Sequence, residues 1–115
     1  VIPLSKDDRN TIHRLGLAVK APDDHRTAGE WDSLAIREEG RAVGVVTQRS
    51  GGGYLCSLEG RVYEGGGDLG GYHKRRAEGR GETVGVAVEA AYQARERLLS
   101  DGRRQREQDR RDKHT

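Results

Sequence analysis

The hydrophobic period changes twice along this chain, and that constrains the fold more than any other feature. Ile12, Leu15 and Val19 recur at helical spacing. From Trp31 onward the apolar residues alternate with polar or small ones, as at Leu34, Ile36, Val43 and Val45. From Thr83 the helical period returns, stronger, in Val84, Ala87, Val88, Ala91, Ala94 and Leu98. A chain ordered as helix, strands and helix is expected to be α+β: an antiparallel β-meander of three to four strands packed against an N-terminal helix and a longer C-terminal helix, both helices on one side.

The punctuation between these runs sets the expected boundaries. Ser5 followed three residues later by Asp8 matches a capping box in weakened form, with Asp7 and Asp8 near the positive end of the helix dipole. The first helix is predicted over 5–20, weakened at Gly16 and ended by Pro22, with 21–30 as a loop. Glu39-Gly40, Ser50-Gly51-Gly52-Gly53 and Glu59-Gly60 read as turns separating strands around Leu34–Ile36, Val43–Val45, Tyr54–Leu58 and Arg61–Glu64. Residues 65–82 hold seven glycines and read as a mobile loop. The second helix starts at Thr83 and meets a stop signal at Asp101-Gly102. Beyond it, 103–115 contains no apolar residue. The expected organisation is a single α+β domain over 1–100, followed over 101–115 by a charged helical extension or a disordered tail.

Only 32% of the residues are hydrophobic against 35% charged, and neither Phe nor Met is present, so the core must be thin. The net charge of +2 is unevenly placed. Residues 95–115 carry eight basic and five acidic side chains, a surplus of three, which leaves −1 for residues 1–94. A second basic cluster is Lys74-Arg75-Arg76. Such asymmetry suits a polyanionic partner, while a solvated, salt-bridged helix is the alternative. The preference for Arg over Lys would suit bidentate phosphate contact, but the bias of a GC-rich genome is expected to explain most of it. The single cysteine, Cys56, excludes an intrachain disulfide and is expected to be a buried, inert thiol. No apolar stretch approaches membrane-spanning length and no leader pattern opens the chain, which makes a cytoplasmic location and no membrane partner the expectation.

The titratable residues compose no catalytic constellation. His13, His25, His73 and His114 lack metal-site spacing, and Asp23-Asp24-His25 reads as a solvated loop. Ser50 and Ser57 have no nucleophile-elbow context, and Cys56 has no base beside it. The glycines from Gly65 to Gly71 match neither phosphate-loop nor dinucleotide spacing, so no cofactor is expected and binding is favoured over catalysis. The better candidate is a contact surface. Tyr72, His73, Lys74, Arg75, Arg76 and Arg80 combine a stacking ring with a cationic run, and Arg103, Arg104, Arg106, Arg110 and Arg111 offer a second set. Glu107, Asp109 and Asp112 dilute the field of that second set.

Two resemblances follow from these residues. The helix–sheet–helix order with Lys74, Arg75 and Ala77 ahead of an Ala-rich helix resembles the double-stranded RNA-binding domain, whose basic helix start grips phosphates; Gly79 and Gly81 depart from it. The segment Gly70-Gly71-Tyr72-His73-Lys74, with Val84 to Ala94 downstream, is similar to small uncharacterised phage and prophage proteins over roughly residues 54–95, with an insertion at Arg75 to Glu82. That likeness implies a phage or mobile-element accessory protein that acts by binding. The expected partner is nucleic acid, DNA or RNA. The alternative is a protein complex, with the chain as an inhibitor of a host defence complex or as a self-assembling homo-oligomer subunit.

Overall fold

The computed structural model describes residues 2–20, 33–65 and 71–113. In chain order these form α1 (Lys6–Arg14), β1 (Ala18–Lys20), β2 (Ser33–Glu38), β3 (Arg41–Gln48), β4 (Tyr54–Glu64), β5 (Gly71–Gly81) and α2 (Val84–Asp112). The fold is α+β as expected, with both helices in place. The antiparallel sheet has five strands in the order β1-β2-β3-β4-β5, more than the three to four expected. The loop expected over 21–30, the Asp23-Asp24-His25 triplet, Gly66 to Gly70 and His114 lie outside the described residues.

The capping box forms. Ser5 Oγ accepts from the Asp8 N–H at 3.0 Å, and Asp8 Oδ2 accepts from the Ser5 N–H at 3.1 Å. The other carboxylate oxygen of Asp8 accepts from the Gly85 N–H at 2.9 Å, tying the start of α1 to the start of α2. Burial opposes the charge on this carboxyl. The hydrogen bonds from Gly85, Ser5 and Thr83 outweigh that penalty and hold its pKa below the ordinary carboxylate value.

Helix α1 is shorter than the predicted 5–20. Leu15 is its C-cap, and Gly16 adopts φ +76°. The Leu17 N–H reaches back to Ile12 O at 3.1 Å and the Gly16 N–H to His13 O at 2.9 Å. That is a Schellman ending, with Ile12 and Leu17 both buried at its hydrophobic contact. Gly16 stops the helix rather than merely weakening it, and frees 18–20 to pair with β2.

The hairpin at Glu39-Gly40 forms as expected, with φ +52° and +78° at its two loop residues and Glu38 paired to Arg41. Glu59-Gly60, by contrast, is not a turn: β4 runs unbroken from Tyr54 to Glu64. The stretch expected to be a glycine loop is largely strand β5, paired with β4 from Tyr54↔Gly81 to Glu64↔Gly71. Two of its three glycines, Gly79 and Gly81, are there for contact. A Cβ at Gly79 would lie 2.1 Å from the Ala91 N, because α2 crosses directly on the strand. The expected stop at Asp101-Gly102 is also absent, since α2 continues to Asp112 and Gly102 admits the Tyr63 backbone against the helix.

The sheet face under the helices carries Leu34, Ile36, Val46, Cys56 and Leu58, which pack with Ile2, Ile12, Leu17, Val84, Ala87, Val88 and Ala91. Pairing of β3 with β4 covers only Gly44↔Leu58 to Gln48↔Tyr54. Past Leu58, β4 and β5 continue as a two-stranded ribbon, with the second half of α2 along it. The molecule is therefore a body and an arm, with principal extents of 60 × 28 × 25 Å. Arg95 sits at the joint, 5% exposed. It donates from Nη2 to Glu38 Oε2 at 2.8 Å and from Nη1 to the Glu59 carbonyl at 3.3 Å, with Cζ 5.3 Å from the Tyr92 ring centroid. Its guanidinium takes the place beside Glu59 that β3 has left.

Candidate functional site

Because β5 is a strand, its basic run divides between two faces. Ala77 and Gly79 lie buried under α2, and His73 and Arg75 share their side of the ladder. Tyr72, Lys74, Arg76, Glu78 and Arg80 alternate onto the opposite, open face, and all five are exposed. Their cross-strand partners are Tyr63, Arg61, Glu59, Ser57 and Leu55 in turn. Arg61, which sequence reasoning passed over, thereby joins Lys74. Only the register of β4 on β5 reveals it, and no local sequence signal encodes that register.

The electrostatics of the two faces differ. On the covered side Arg75 is committed to Glu64, donating from Nη2 at 2.8 Å. The Arg75 hydrogen bond holds the Glu64 carboxyl below its ordinary pKa, and the Glu64 hydrogen bond raises that of Arg75. On the open face Arg76 has only a 3.8 Å contact with Glu59, the arginine side chain largely exposed and the glutamate half-buried. Lys74, Arg61 and Arg80 have no ion-pair partner among the described residues. Loose or absent pairing leaves these cations available to an outside anion.

The helical arginines do not form one surface. Arg106 reaches the tip of the ribbon, donating from Nη1 to the Tyr72 hydroxyl at 2.6 Å with Cζ 5.8 Å from the ring centroid. Tyr63 and Tyr72 meet edge to face at 5.7 Å, and the Tyr63 hydroxyl donates to Asp109 Oδ2 at 2.8 Å. That hydrogen bond is the main reason the Tyr63 pKa is raised. Arg110 lines a hollow of about 290 Å³ beside Tyr63, Arg106 and Asp109. At 3.6 residues per turn Arg104 and Arg111 lie about half a turn round from Gly102, away from the ribbon, and Arg103 about a quarter turn. Arg104 contacts Asp101 at 4.0 Å.

Cys56 is fully buried, and burial pushes its thiol up to about 12, with the Arg95 charge working against that rise. Among the described residues no group of three His, Cys, Asp or Glu is placed to hold a metal ion, and no helix is long and apolar enough to cross a membrane. Comparison with protein-family models, with curated proteins and with solved structures gives no match.

Proposed function

We propose that this chain is a small accessory protein of phage or mobile-element type that binds nucleic acid on the open face of β4 and β5. The observation that carries the reading is the presentation of Tyr72, Lys74, Arg76 and Arg80 on one strand face, with Arg61 beside Lys74. Alternate strand residues stand about 6.7 Å apart along a straight line, so the cations form a track and not a point, with Glu78 standing between Arg76 and Arg80. A track of loosely paired Lys and Arg engages successive phosphates without reading sequence. Tyr72, 50% exposed and oriented by Tyr63 and Arg106, adds a ring on which an unpaired base can stack. Arg106 and Arg110 extend the positive surface around the tip, whereas Arg103, Arg104 and Arg111 serve only as peripheral charge.

Salt titration of binding to single- and double-stranded DNA and RNA tests this reading. Affinity is expected to fall steeply with salt, and Lys74→Ala with Arg76→Ala should reduce the logarithmic salt slope by about one for each cation removed. Absence of binding at low salt sinks the reading. A second reading, a protein-interaction module such as an inhibitor of a host defence complex or a self-assembling subunit, draws on β5 being the last strand of the sheet. Its charges argue against that, because Lys and Arg on a sheet edge oppose pairing with another strand. Light scattering coupled to size-exclusion chromatography separates the two: a concentration-dependent dimer without nucleic acid favours the second.

A further inference from the structure

The open-face track ends at Arg80, and the structure places a separate hollow there. About 480 Å³ in volume, it lies between the β3–β4 turn and the β5–α2 junction, lined by Arg49, Gly51, Gly52, Gly53, Arg80 and Glu82. Glycine lines one wall continuously, so an anion can approach the backbone without meeting a side chain. Gly52 and Gly53 stand at φ +99° and +78°, and since the Gly52 N–H is donated to the Arg49 carbonyl, the guanidinium groups carry the positive charge of the hollow. The Arg49 and Arg80 guanidinium groups have no partner among the described residues, although they outnumber the single carboxylate, Glu82, in the lining. The Arg49 backbone is fixed by two bonds across the turn, its N–H to Gly53 O and its carbonyl accepting from Gly52, both at 3.0 Å.

We propose that this hollow receives the terminal phosphate of a nucleic-acid strand laid along β5, an inference that rests on the open-face reading above. The chemistry selects a phosphomonoester. It carries a charge of about −1.5 to −2 near neutral pH, against one per internal phosphodiester, and three oxygens to engage two forked guanidinium groups at once. Position selects the strand end: Arg80 belongs both to the track and to the hollow, and Arg49 to the hollow alone.

Anisotropy titrations of the full chain with an oligothymidylate bearing a 5′-phosphate, a 3′-phosphate or neither provide the test. One of the two phosphorylated forms is expected to bind about tenfold tighter than the unphosphorylated strand, the gain of one or two charge-assisted hydrogen bonds. Arg49→Ala should erase that gain and leave the affinity for the unphosphorylated strand unchanged, with circular dichroism confirming an intact fold. Equal binding of all three strands overturns the inference while leaving the open-face reading standing. So does an Arg49→Ala variant that weakens all three equally, since Arg49 would then be one more cation of the track. Failure of any strand to bind overturns the open-face reading and this inference with it.

Discussion

Where β4 lies between β3 and β5, its inward side chains Cys56 and Leu58 are fully buried among aliphatic neighbours from both helices. Where β4 has only β5 beside it, the same face offers Gly60 and Val62, and Val62 lies outside the main cluster at 6% exposure. The arm is instead held by polar contacts: Tyr63 on Asp109, Arg106 on Tyr72, Arg75 on Glu64. Aliphatic burial is strong and undirected, while each exposed polar contact contributes little net stability but fixes an orientation. The body is therefore expected to set global stability, and the arm to set where its outward side chains point.

That division can be broken from either side. Leu58→Ala, deep in the body, is expected to cost about 3 kcal/mol, read as a lower denaturant midpoint with unchanged slope. Arg95→Ala acts at the joint. It strips packing from Gly60 and Tyr92 and leaves the half-buried Glu38 unpaired, for a loss of about 2 kcal/mol. A loss as large in Glu38→Gln, with Arg95 intact, would move the weight from packing to the ion pair. Asp8→Asn should lose about 1.5 kcal/mol near neutral pH by weakening the capping box and the bond to Gly85. Since the folded pKa of Asp8 is depressed, its contribution is present above the unfolded value and vanishes as pH falls through the folded one. The two proteins should accordingly converge in acid, and a constant gap down to low pH would refute that origin. Tyr63→Phe is the smallest, the loss of a single side-chain hydrogen bond to Asp109. Its effect should appear as faster amide exchange confined to residues 103–112, with the global midpoint unmoved. A matching shift in the midpoint would show that arm and body unfold as one unit.

Much of the body was legible because its signals are local. The Ser5/Asp8 box, the Glu39-Gly40 turn and the alternation through Leu34 and Ile36 each report on residues a few positions apart. Strand β5 and the far end of α2 were not, and glycine is the reason. At Gly79, Gly81 and Gly102 the missing Cβ makes room for a distant element, yet the letter is the same one that permits a mobile loop. Only the position of α2 separates the two meanings. The candidate surface suffered likewise: Lys74-Arg75-Arg76 reads as one cluster along the chain, and pairing with β4 sends Lys74 and Arg76 one way and Arg75 the other.

The alternation in β5 also dictates which sequence changes can accumulate there. Any outward residue can be exchanged singly, since its neighbours keep their sides. Losing or gaining one residue between Gly71 and Gly81 reverses every side chain on one side of the change, bringing Arg or Lys under α2 where Ala77 and Gly79 now allow close approach. Among homologous sequences the outward Glu78 should drift freely and Lys74 and Arg76 should exchange only with other cations, while the strand keeps its length and insertions collect in the turns.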